Sequence, residues 1–249
     1  MEKITSADGT SIAYLKDGSG PAIVFVGGAF NDHTRLAPLA AVLAGDHTVV
    51  TYDRRARGQS GDGPAYAIER EVEDLAALLE MLGGHASVFG FSSGAVLALR
   101  AATELPIDRL FLFEAPFVAG APDLPARLQE LVDRGAPGEA VALFQREAIG
   151  LPPAVIEQIR QSPMWPGLVA MAQATVYDAI ITTTLARPTP EMTAVTMPTL
   201  VMVGAGTMPK LKESAGLLPF GEHVEVAGGV NHDIPVEETA RLIRTVKNP

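Results

Sequence analysis

The chain has 249 residues, of which 47% are hydrophobic and 19% charged, with a formal net charge of −10 and no cysteine. That length suits one large domain, or one domain with an insertion, and supplies enough apolar residues for a substantial core. The acidic surplus argues against nucleic acid and anionic membranes as partners, and the missing cysteines exclude disulfides, thiolate metal sites and a cysteine nucleophile.

The chain opens on a polar stretch after Met1 with no apolar signal core, and no apolar run approaches membrane-spanning length, so a cytoplasmic protein is expected. The alternation from Ser11 to Leu15, after the Asp8-Gly9 turn, predicts a strand. The continuous apolar run Ala22 to Val26 and the shorter Thr48 to Tyr52 predict strands buried on both faces. Helical spacing runs from Leu36 to Leu43 and from Ile68 to Leu82, the second stopping at Gly83-Gly84. Strands follow at Ala86 to Phe89 and Leu110 to Phe113, with a helix over Ala95 to Thr103 between them. From about 117 to 190 the pattern is helical, broken by Pro and Gly: Leu128 to Val132, Glu139 to Ile149, Pro153 to Ile159, and one or two helices within Leu168 to Leu185. The strand-helix rhythm then resumes with Thr199 to Val203, Leu211 to Leu218, His223 to Val226 and Val236 to Val246. Strands alternating with helices imply a mostly parallel sheet covered on both faces. The helical stretch reads as a lid inserted into one domain, giving a core of 1–116 and 191–249 and a cap of 117–190.

One segment carries chemistry. Gly90-Phe91-Ser92-Ser93-Gly94 joins a predicted strand to a predicted helix, the setting in which a Gly-x-Ser-x-Gly turn lifts a serine hydroxyl above a parallel sheet. The glycines leave room for the bend and for close helix packing, and the helix N-terminus favours developing negative charge. Other signals are absent. Gly204-Ala205-Gly206 fails the dinucleotide fingerprint because Pro209 stands at the third glycine, no Walker motif occurs, and no ligand spacing suggests a metal. No cofactor is expected.

Five pieces in order resemble the α/β-hydrolase superfamily over essentially the full length: Val26-Gly27-Gly28-Ala29-Phe30, the Asp53 to Ser60 loop, the Gly90 to Gly94 turn, Glu114-Ala115-Pro116, and Gly229-Val230-Asn231-His232. Tyr52-Asp53-Arg54-Arg55 and Glu114-Ala115-Pro116-Phe117 look like a bacterial subgroup of small hydrolases. The resemblance implies the α/β-hydrolase fold with a helical cap. It makes Ser92 the nucleophile and His232 its base, with backbone N–H groups of Ser93 and Ala29 as the oxyanion hole, or Phe30 in place of Ala29 if the loop shifts by one. The family most often carries its acid after the seventh strand, but Gly204 to Pro209 holds no carboxylate. The family's alternative position, after the sixth strand, points to Glu114. A Ser-His dyad with a water in the acid's place, or Glu114 binding backbone amides, remains open.

The same resemblance gives Asp53 a loop-holding role. Arg54, Arg55 and Arg57 either bind a substrate carboxylate or pair with nearby acids such as Asp62 and Glu69. Large apolar cap residues, Trp165, Met171 and Tyr177, together with Phe30, are candidates for an apolar substrate pocket. The expected activity is cofactor-independent hydrolysis of a small, largely apolar ester, thioester or lactone. The rivals are a lyase, cyclase or acyltransferase on the same fold, and a non-catalytic ligand binder.

Overall fold

The computed structural model describes residues 1–246. Its strands are β1 (Glu2–Thr5), β2 (Ser11–Gly18), β3 (Ala22–Val26), β4 (Thr48–Tyr52), β5 (Ala86–Phe91), β6 (Ile107–Phe113), β7 (Thr199–Gly206) and β8 (Glu222–Val230). They form one sheet in the order β1-β2-β4-β3-β5-β6-β7-β8. β1 and β2 pair antiparallel, as do β2 and β4; every later pairing is parallel. β1 carries no strand signal in the sequence. It is a short, largely exposed segment with two charged residues, paired with β2 and anchored by Ile4 against the core.

Strand side chains alternate between two cores. Val24, Val26, Val88, Leu110 and Leu112 pack on one face, beneath α2 (Ile68–Met81) and α3 (Ser93–Ala101). Ile23, Phe25, Phe89, Phe91, Phe111 and Phe113 pack on the other, beneath α1 (Ala37–Leu43) and α11 (Val236–Thr245). This two-sided burial explains why β3, β5 and β6 are apolar runs. α2 buries Ile68, Val72, Leu75 and Leu79, which recur every three or four residues and so share one stripe.

Between β6 and β7 lie α4 (Leu124–Asp133), α5 (Pro137–Phe144), a π-helical turn (Gln145–Ile149), α6 (Pro153–Arg160), α7 (Trp165–Ala170), α8 (Ala172–Thr184) and the short α9 (Pro190–Thr193). The sequence predicts a single helix from Glu139 to Ile149; it changes to π geometry at Gln145 and stops at Gly150, which is left-handed at φ 86°. This excursion has its own core of Leu124, Leu128, Val141, Phe144, Val176 and Tyr177. The far end of α8 joins the main core through Ile181. α10 (Pro209–Ala215) links β7 to β8.

The turn between β5 and α3 has no room for side chains at its two glycines. A Cβ on Gly90 would lie 2.5 Å from Ala95 Cα, and one on Gly94 would lie 2.4 Å from Val26 O and 2.5 Å from Gly27 O. Backbone lies on both sides, so nothing can swing away. Gly94→Ala is therefore expected to destabilise the protein by about 1–3 kcal/mol, the overpacking effect exceeding alanine's better helix propensity. A drop in the urea unfolding midpoint checks this.

Candidate active site

Among the described residues, six other than glycine have positive φ: Phe30, Ala56, Ser92, Glu114, Asn231 and His232. All follow the carboxyl ends of strands, where open α/β sheets bind ligands. Ser92 is held at φ 56° and ψ −128°, between the last residue of β5 and the first of α3. Its N–H donates to Phe113 O at 2.9 Å, so the ladder between β5 and β6 continues into the turn. Glu114 N–H likewise donates to Met202 O at 2.9 Å, which fixes the residue after β6 against β7.

The Glu114 side chain is buried and bridges two partners. Oε2 accepts from His232 Nδ1, and Oε1 accepts the Gly204 N–H at 2.8 Å. The segment Gly204 to Pro209 thus supplies a backbone donor where it lacks a carboxylate. Burial opposes the charge on Glu114, but the His232 ring and the Gly204 amide outweigh it and hold the carboxyl below its ordinary range. The His232 ring stacks on Phe91, with centroids 4.7 Å apart and planes at 28°. Arg35 covers the Phe91 ring at 5.6 Å and pairs with Asp233 at 2.7 Å. The imidazole is therefore held by a carboxylate on one ring nitrogen and an aromatic face alongside.

Ser92 and His232 both line a cavity of about 360 Å³. Among the described residues no hydrogen bond joins the Ser92 hydroxyl to the His232 ring. Ala29 and Ser93 line the same cavity, and their N–H groups have no acceptor within the described chain. The Ala29 loop is drawn close because Gly28 has no side chain: a Cβ there would lie 2.7 Å from Ser92 Cβ. Phe30 turns away and packs edge-on against Phe144, with centroids 5.5 Å apart.

The walls differ from the expected pocket. Phe30, Trp165, Met171 and Tyr177 are not among the lining residues; Phe91, Val118, Leu124, Phe144, Ile149, Met208 and Leu211 are. Phe30, Trp165 and Tyr177 spend their apolar surface on the core of the helical excursion. Arg160 lies over the Trp165 ring, and Tyr177 stacks on Tyr66 at 3.8 Å while its hydroxyl donates to Asp62. Half-buried Met171 sits at the junction of α7 and α8.

The three arginines face inward rather than toward a ligand. Arg54, Arg55 and Arg57 are each buried. Arg55 pairs with Asp74 and Asp8. Arg54 grips Glu71 through two hydrogen bonds of 2.6 Å, and donates to Asp178 at 2.9 Å and to Gly27 O at 3.1 Å. Arg57 donates to Asp178 at 2.7 Å and to Gly28 O. Ser93 Oγ donates to Asp178 at 2.7 Å. The expected partners Asp62 and Glu69 play no part in this network. Asp178 lies in α8, and its only sequence signal is a carboxylate inside the apolar helical run Ala174 to Ile181. Burial opposes its charge, but Arg57 and Arg54 hold its carboxyl below the ordinary range. Asp53 accepts from the backbone N–H groups of His33 and Gln59, both at 2.8 Å, which is the loop-holding role.

A family model described as "Alpha/beta hydrolase family" matches residues 23–245. The chain belongs to that family. An alpha/beta hydrolase from Sphaerobacter thermophilus is 41% identical over 97% of this chain and 98% of that one, with a TM-score of 0.89. A thermophilic esterase from Thermogutta terrifontis is 26% identical over 98% and 96%, with a TM-score of 0.73. The 3-oxoadipate enol-lactonase 1 of Acinetobacter baylyi is 33% identical over 99 residues, or 39% of this chain and 37% of that one. The hydrolase YraK of Bacillus subtilis, itself uncharacterized, is 40% identical over 95 residues, 36% and 35% of the two chains. The matched stretch thus spans little more than a third of each curated relative. No helix among the described residues is long and apolar enough to cross a membrane.

Removing Asp178 takes from buried Arg57 its one carboxylate partner among the described residues and leaves buried Arg54 only the carboxylate of Glu71. Asp178→Ala is expected to destabilise by about 3–5 kcal/mol, which denaturant unfolding measures. Asp178 and Glu114 both titrate below their unfolded values, so they add stability that is complete above about pH 5 and is lost as pH falls through their folded values. The urea midpoint should fall as pH drops from about 5 toward 2, and Glu114→Gln should flatten part of that fall.

Proposed function

We propose that this protein is a cofactor-independent serine hydrolase acting on carboxylic esters, thioesters or lactones, with Ser92, His232 and Glu114 as its triad. The observation that carries this reading is the Glu114–His232 contact. It pins one nitrogen of an imidazole whose cavity also exposes Ser92 on a strained turn. The whole-length likeness to an esterase and the partial likeness to an enol-lactonase support an ester-type substrate.

Ser92 Oγ attacks the substrate carbonyl carbon while His232 Nε2 takes its proton. Glu114 keeps the proton of Nδ1 in place and stabilises the imidazolium. The N–H groups of Ala29 and Ser93, free of other acceptors, receive the oxyanion. His232 passes its proton to the leaving oxygen or sulfur, leaving an acyl-serine. A water that loses its proton to His232 attacks the acyl carbon, and collapse returns that proton to Ser92 Oγ as the acid departs. In this mechanism the hydrogen bond from the Ser92 hydroxyl to His232 Nε2 forms when substrate binds. Residues 117–190 act as the cap: α4, α5 and the π-helical turn supply Leu124, Phe144 and Ile149 to the wall. The partner is a small ester-like molecule with an apolar body.

Ser92→Ala should lower p-nitrophenyl butyrate turnover by roughly 10⁶-fold, and Glu114→Gln by about 10³–10⁴-fold. Unaltered turnover in Ser92→Ala removes the mechanism, and a loss under about fivefold in Glu114→Gln removes Glu114 from the triad. Fluorophosphonate labelling of Ser92 without ester turnover would favour a lyase, cyclase or acyltransferase. No labelling, with tight binding of an apolar ligand, would favour a binder.

A further inference from the structure

Among the described residues, the cavity wall carries one charge without an ion-pair partner. Among its ionisable lining residues, Arg35 pairs with Asp233 at 2.7 Å. Glu147 is held by Arg127 at 2.7 Å and Arg146 at 3.2 Å, and His232 by Glu114. Lys210 is different. Its ammonium donates to the neutral carbonyl of Ile149 at 2.7 Å, and among the described residues it forms no ion pair. One of its three N–H donors is used and two remain. The side chain is half-buried and reaches the π-helical turn from α10, so it borders the cavity at the seam between core and cap. Its neighbours in the wall include Ile149, Met208 and Leu211, apolar surfaces that lower the local dielectric and strengthen attraction to an anion.

The arginines that a carboxylate would otherwise favour are closed to it, since Arg54, Arg55 and Arg57 are buried in pairs with Glu71, Asp178, Asp74 and Asp8. On an acidic chain, the wall of this cavity offers an anion one partnerless cation. Building on the hydrolase reading above, we infer that Lys210 is a specificity-determining residue and that the substrate is an ester or lactone bearing a carboxylate, separated by an apolar spacer from the carbonyl that Ser92 attacks. The apolar wall takes the spacer and Lys210 takes the carboxylate. The competing role for Lys210 is a strap that only ties α10 to the cap.

The test compares 4-nitrophenyl hemiesters of succinic, glutaric and adipic acid with the same esters methylated at the distal carboxyl, read as nitrophenol release. The quantity is the ratio of kcat/KM for free over methylated ester within each variant. For at least one spacer length the wild-type ratio should be about tenfold or more, as for one charge-assisted contact. Lys210→Met should lower that ratio by about tenfold, mainly through KM, and Lys210→Glu should lower it further. A loosened strap scales both esters together and leaves the ratio where it was. A wild-type ratio of one or less at every length, or a ratio equal in wild type and Lys210→Met, overturns the inference and leaves the hydrolase reading standing. No turnover of any ester, with no fluorophosphonate labelling of Ser92, overturns both.

Discussion

One carboxylate, Asp178, ties the parts of this protein together. It comes from α8, in the helical excursion between β6 and β7, and receives hydrogen bonds from Arg54, Arg57 and the Ser93 hydroxyl. The same arginines hold the carbonyls of Gly27 and Gly28. The loop that carries Ala29, the turn that carries Ser92 and the helical excursion therefore converge on a single buried group. Burying two guanidinium groups with two carboxylates is tolerable only when nearly every donor and acceptor is paired, because desolvation is severe and the low dielectric magnifies any omission. Only Arg57 Nε in this cluster lacks a partner. Such a cluster has one workable arrangement, and it leaves the Gly28–Ala29 peptide little freedom, since Arg57 holds its carbonyl.

That rigidity has a use. Left-handed backbone at a residue other than glycine costs of order 1–3 kcal/mol and persists only where surroundings over-determine it. Here Ser92, Glu114 and His232 all adopt it, each just past the end of a sheet strand. The Ser92 and Glu114 backbones are pinned by bonds to Phe113 and Met202, the Glu114 side chain by Gly204, and the His232 ring by Glu114 and Phe91. Strain is thus held by the sheet ladder on one side and by aromatic packing on the other. The product is a serine hydroxyl and an imidazole that line one cavity, with Glu114 buried behind the ring and little left to reorganise.

Much of this was legible in the chain. Buried parallel strands read as apolar runs because both faces are covered, and the turn at Ser92 shows itself through glycines that no side chain can replace. The resemblance to the family pointed to Glu114 as the carboxylate near His232, through the family's alternative acid position after the sixth strand. Less legible were features whose signal is weak or distant. β1 is charged and exposed, so its strand character comes only from β2. The large side chains between β6 and β7 looked like pocket walls, but Trp165 and Tyr177 are drawn into the core of the helical excursion, because a six-to-thirteen-residue helix needs such anchors to pack.

By itself the sequence determined the buried parallel strands and the helices between them, the glycine-bounded turn at Ser92 and the residues that follow those strands, since periodicity, glycine placement and chain order are local properties. Only the tertiary structure decided which acid each buried arginine meets, which apolar residues wall the cavity and which cation is left without a partner. Those outcomes depend on helix rotation and on contacts between residues more than a hundred positions apart, as between Arg57 and Asp178. No local pattern encodes them.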